Sequence, residues 1–89
     1  AQAATRFILN FAGEELEYYL ADLDNLKANI SASNAEIRNV RIMKDSENGG
    51  VRVIFDLIGT GDAQSSNLRA FLQYDDRVLS ETWTMPWVF

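Results

Sequence analysis

The chain has 89 residues, a formal net charge of −5, and neither cysteine nor histidine. That length holds one domain with one core, and the acidic balance argues against nonspecific binding to nucleic acid or an anionic membrane. The missing residue types exclude a disulfide framework, thiolate or imidazole zinc ligation, and any nucleophile–histidine triad. At 47% hydrophobic and 11% aromatic residues, the chain can pack a globule and is not disordered by composition. No run reaches the length of a membrane span, and "AQAATR" lacks the apolar stretch of a signal peptide. Composition leaves a cytosolic chain and a piece of something larger both open.

In chain order, "TRFILNFAG" alternates Phe7, Leu9 and Phe11 against Arg6, Ile8 and Asn10, which predicts a strand ended by Gly13. "EELEYYLADLDNL" then places Leu16, Tyr19, Leu20 and Leu23 at near-helical spacing. This predicts a helical turn or two, acidic at its start, or an irregular crossover between sheets. "KANISASN" reads as a second strand with one wet face. "EIRNVRIMK" reads as a third, whose alternation slips between Ile37 and Val40, so a bulge is expected near Arg38–Asn39. "DSENGG" is a turn signal, because Asn and Gly tolerate positive φ.

"VRVIFDLI" is the clearest strand, with Val51, Val53, Phe55 and Leu57 on one side. After the loop "GTGDAQSS", Asn67–Tyr74 and Arg77–Met85 read as an antiparallel hairpin with an acidic tip, and Pro86 follows the last strand. Six such segments with at most one short helix predict an all-β, two-sheet antiparallel sandwich of about six to seven strands. Its expected core is Phe7, Leu9, Ile30, Val53, Phe55, Leu68, Leu72 and Trp83.

Carboxylates are the only plentiful groups of catalytic type. Asp75 and Asp76 fall at a hairpin tip, where adjacent side chains diverge into water. A glycosidase instead needs two carboxyls converging across a sugar. Glu81 falls among Leu79, Trp83 and Met85, the bulky positions of its strand. A two-residue tip sets it across from Ala70. A three-residue tip sets it across from Phe71, with Arg69 opposite Trp83. A carboxylate threaded into an apolar face must be paired, and Arg69, Arg52 and Arg6 are the candidate partners, so a structural Glu81–Arg69 ion pair is expected.

"DSENGG" lacks the ligand spacing of a calcium loop, and "GTGD" leads into no phosphate-cradling helix. Neither a metal site nor a cofactor site is expected. Trp83 and Trp87 have the ring faces that stack on sugars, though core packing and edge cover account for them more simply.

"LRAFL", then "VLSETW", then Trp87 four residues later, resembles the C-terminus of the periplasmic glucan biosynthesis proteins, the G and D family. "RFILNFAG", "ISASNAEI" and "GGVRVIFDL" are similar to other segments of that family's C-terminal domain, in the same order. The family acts in making osmoregulated periplasmic glucans in Gram-negative bacteria. The resemblance implies that residues 1–89 form a single immunoglobulin-like domain, a C-terminal fragment of a two-domain periplasmic protein.

The family's β-1,2-glucan-cleaving carboxylates belong to its N-terminal sandwich, so no catalytic residue carries over. Val51 stands where an aromatic is common, Ala35 where a turn glycine is usual, and Pro86 where a polar residue is usual. The expectation is therefore a noncatalytic accessory domain that supports the N-terminal catalytic domain. Trp87, Val88 and Phe89 are expected to dock on that domain, to contact β-glucan, or to give weak self-association. A carbohydrate-binding module using its surface tryptophans is the alternative, and an autonomous hydrolase the third reading.

Overall fold

A computed structural model describes residues 4–47 and 49–89. Residues 1–3 of "AQAATR" and Asn48 of the "DSENGG" turn lie outside the described residues. Strand β1 (Ala4–Phe11) leads through a helical turn α1 (Glu14–Glu17) and a 3-10 segment (Leu20–Asn25) into β2 (Leu26–Ala32). Then follow β3 (Ala35–Lys44), β4 (Val51–Gly59), β5 (Ser65–Tyr74), the short β6 (Arg77–Val78) and β7 (Trp83–Val88). One antiparallel sheet has the order β1-β4-β3; in the other, β5 pairs with β2 on one side and with β6 and β7 on the other. The expected immunoglobulin-like all-β sandwich is what forms.

The core lies between the sheets and follows from strand parity. Phe7, Leu9 and Phe11 stand opposite Phe55, Val53 and Val51 across the first sheet. In the second, Leu68, Ala70 and Leu72 face the same interior. Phe7, Val53, Phe55, Leu68 and Leu72 are buried as expected; Leu9, Ile30 and Trp83 are half-buried and packed against them. Phe7 stacks on Phe55 at 5.2 Å and meets Trp83 and Trp87 edge-on at 6.5 and 5.0 Å, so one ring links the two sheets.

The segment between β1 and β2 crosses from one sheet to the other, and it is less helical than its leucine spacing. Its 3-10 part breaks at Asp22, whose backbone is non-helical. There the carboxylate accepts hydrogen bonds from Tyr74 Oη and from Asn25 Nδ2, and the Tyr19 ring lies 4.6 Å from that of Tyr74. Contacts with β5 fix this segment, while Leu16 is buried in the core.

The bulge falls where the alternation slips: the β3–β4 register shifts between Arg38 and Arg41, and Asn39 takes a φ of 57°. Asn is among the few side-chain-bearing residues that adopt that conformation readily.

Candidate functional site

The last hairpin places the expected site residues differently from their sequence alternation. Its tip is the two-residue turn Asp75-Asp76, because Tyr74 pairs with Arg77 and Gln73 with Val78. Farther along, Ala70 pairs with Trp83 and Arg69 with Thr84, so two extra residues leave the ladder between β6 and β7. Ser80 holds this looped link: its Oγ accepts from the Leu72 amide at 2.8 Å, and the Leu79 amide donates to the Leu72 carbonyl.

Glu81 sits on that link and is exposed. The internal Glu81–Arg69 ion pair therefore gives way. The register carries Arg69 to Thr84 on the outer, polar face, and an exposed carboxylate needs no buried partner. Arg6 and Arg52, the other candidates, are committed on the opposite sheet to Asp56, and to Asn10 and Asp45.

A cleft of about 710 Å³ opens between the end of β1 and the β6–β7 link, walled by Asn10, Phe11, Glu81, Thr82 and Trp83 among others. Among the described residues Glu81 is the single carboxylate on its walls, whereas glycoside hydrolysis by the common mechanism draws on two. Asp75 and Asp76 remain exposed at the tip.

The tail divides in two. Trp87 turns inward on β7 with its ring against Phe7, and its Nε1 is buried without a partner. It closes the sandwich rather than offering a free ring. Trp83 is likewise half-buried against Phe7, so neither indole stands free of the sandwich. Val88, 76% exposed, and Phe89, 42% exposed, are the outward part of the tail. Pro86 lies within β7 rather than after it.

A second feature, missed in the sequence, is the outer face of the β1-β4-β3 sheet. Arg6, Ile8 and Asn10 share it with Arg52, Ile54, Asp56 and Ile58, and with Glu36, Arg38, Arg41 and Met43. Ile8 is 56% exposed, Val40 at the bulge 43%, and Met43 37%. Asp56 sits at its centre, only 7% exposed, and organises the polar part. Arg6 Nε donates to Asp56 Oδ1 at 3.0 Å, and Asn39 Nδ2 donates to Oδ2 at 2.8 Å. These bonds, that from Arg6 first, hold the Asp56 carboxyl below its ordinary value of 3.8 despite the opposing cost of burial.

The outer face of the other sheet differs. It carries Lys27, Asn29, Ser31, Asn67, Arg69, Gln73 and Thr84, with Phe71, Val78, Pro86 and Val88 set among them, and has no buried carboxylate at its centre among the described residues. The available signal was "VRVIFDLI" itself, whose near-continuous apolar run is the pattern of a strand covered on both faces.

Comparison with known proteins bears on what such a domain belongs to. Residues 1–87 match the family described as periplasmic glucan biosynthesis protein, MdoG. The glucans biosynthesis protein G of Rhodopseudomonas palustris is 37% identical over 81 residues, covering 91% of this chain and 15% of that protein. The glucans biosynthesis protein D of Pseudomonas fluorescens is 35% identical over 81 residues, covering 90% of this chain and 15% of the relative. A protein G from Bradyrhizobium diazoefficiens is 33% identical over 81 residues, with 91% and 16% covered. The chain thus spans about 15% of the length of the curated relatives it matches. The chain belongs to the MdoG family of periplasmic glucan biosynthesis proteins.

Proposed function

We propose that this segment is a noncatalytic accessory domain of a periplasmic protein that makes osmoregulated, β-1,2-linked glucans, and that it supports an N-terminal catalytic sandwich. The observation that carries this reading is the outer face of the β1-β4-β3 sheet. Its exposed Ile8, Val40 and Met43 are interleaved with arginines, in a chain whose net charge is −5. Apolar residues, methionine and arginine are the composition of an interface core and not of a solvated sheet.

The face is about eight residues long and three strands wide, which is roughly 350–400 Å² on one side. Counted on both partners, that reaches the lower range of contacts between tethered domains and falls short of a stable complex of free proteins. The supported partner is therefore a domain of the same polypeptide, and Val88 and Phe89 alone give at most weak self-association.

Incubation of the chain with β-1,2-glucan tests the noncatalytic part. No reducing sugar is expected to be released, since among the described residues the cleft beside Glu81 holds one carboxylate. Turnover abolished by Glu81→Gln would contradict the reading. Tryptophan fluorescence during the same titration is expected to stay unchanged. A saturable shift would instead assign glucan binding to this segment.

A further inference from the structure

We infer that the free edge of β1 is completed by an additional strand, supplied by the polypeptide that precedes this segment in the longer protein. An immunoglobulin sandwich of the constant type has one sheet of strands A-B-E-D and one of C-F-G. Here β1-β4-β3 takes the places of B-E-D, and β2, β5 and the interrupted β6–β7 those of C-F-G. Strand A would lie beside β1, and among the described residues no strand pairs there.

Folded proteins protect their sheet edges against stray pairing. Beside β7, the backbone groups of Asn67 on β5 face β2, since its amide donates to Ser33 Oγ and its carbonyl accepts from the Ser33 amide. Its cross-strand neighbour Pro86 therefore points its nitrogen outward, and a residue without an N–H sits on that edge. Strand β3 carries the Asn39 bulge. Strand β2 is packed along β3 and carries Lys27. Strand β1 has eight regular residues with neither proline, lysine nor bulge, so it is the edge left ready to pair.

The Asp45 amide donates to the Gly50 carbonyl, which fixes the parity of the β3–β4 hairpin. Val51, Val53 and Phe55 then direct their backbone groups toward β1, where they meet Phe11, Leu9 and Phe7. Arg6, Ile8 and Asn10 consequently direct theirs away from β4, as a row of donors and acceptors on the open side.

A strand from the preceding polypeptide, running antiparallel to β1, meets that row as an intramolecular partner. A second copy of the chain would have to offset the full entropy of association with one strand's hydrogen bonds. The inference rests on the proposed function only in taking this segment as part of a longer protein.

Amide hydrogen exchange tests it residue by residue, in the 89-residue chain and in the longer protein that carries it. In the short chain Phe7 and Leu9 are expected to exchange slowly, and Arg6, Ile8 and Asn10 fast. In the longer protein the latter three are expected to slow by about 100-fold or more. Ile8→Pro, which removes one outward donor as Pro86 does on β7, is expected to return Arg6 and Asn10 to fast exchange while Phe7 and Leu9 stay slow.

Unchanged fast exchange of Arg6, Ile8 and Asn10 in the longer protein would overturn the inference. So would protection in the short chain that rises with its concentration, which would assign the edge to a second copy. Glucan formation by the longer protein is read separately. Normal formation with unprotected edge amides would sink this inference and leave the accessory role standing.

Discussion

Gly50 and Asp56 show how single residues set the terms for the first sheet. Gly50 has a φ of +81°, and a Cβ placed on it would stand 2.0 Å from the Phe11 carbonyl oxygen. Gly50→Ala therefore combines left-handed strain with a backbone clash. It is expected to cost about 3 kcal/mol, measured as a shift in denaturant midpoint. Asp56 is held below its ordinary 3.8 chiefly by Arg6 and then by Asn39, and Asp22 is lowered by Asn25 and then by Tyr74. A carboxylate with a lowered folded-state pKa contributes stability that is present above its unfolded value and lost as pH falls through its folded one.

Thermal midpoints are accordingly expected to hold down to roughly pH 5 and to fall below about pH 4, with Asp56→Asn flattening that decline. At the other extreme, the bond to Asp22 raises the Tyr74 phenol above 10.0. That contribution is complete below 10.0 and is lost as pH rises through the raised value. A midpoint that stays level below pH 4 in the wild type would contradict the assignment of these two carboxylates.

At the scale of elements, most of the architecture was legible in the sequence, because one buried face imposes a period of two on every strand. The bulge was legible too, since one extra residue reverses the face of everything after it, and the slip at Ile37–Val40 records that reversal. The β6–β7 link was not legible for the complementary reason. Two extra residues between Val78 and Trp83 leave the face of every later residue unchanged, so Leu79, Glu81 and Trp83 continue the alternation without a trace of the excursion. Glu81 looked internal on that account alone. The same parity turns Trp87 inward, which moved it from a docking surface to the core.

Ser80→Ala removes the acceptor of the Leu72 amide and is expected to cost about 1–2 kcal/mol. Truncation after Met85 is expected to unfold the chain rather than alter its sedimentation as a folded species. Trp87→Ala is expected to cost about 2–3 kcal/mol and Trp87→Phe far less, since the indole Nε1 has no partner to lose. Ser66, across the ladder from Trp87, also has a buried unpaired Oγ. Ser66→Ala is expected to be neutral or to stabilise by up to about 1 kcal/mol.

For the whole molecule, the two sheets divide the work. The β2-β5-β7 side presents a mixed face, polar except for Phe71, Val78, Pro86 and Val88, while the β1-β4-β3 side presents isoleucine, valine, methionine and arginine around the anchored Asp56. Parity gave both faces, but the second reads as ordinary strand composition until the strands are assembled side by side. Only then do Ile8, Ile54 and Met43 gather into a surface. An accessory domain that supports a catalytic neighbour through this surface must have it covered in the longer protein.

Side-chain oxidation by hydroxyl radicals measures that cover directly at Met43, with Tyr18, 86% exposed on the crossover, as the reference off the face. The expected result is Met43 oxidation about tenfold slower in the longer protein than in the 89-residue chain, with Tyr18 equally reactive in both, and recovery of Met43 reactivity in Arg41→Glu. Equal Met43 reactivity in the two proteins would leave the face open to water and contradict the supporting role assigned to it.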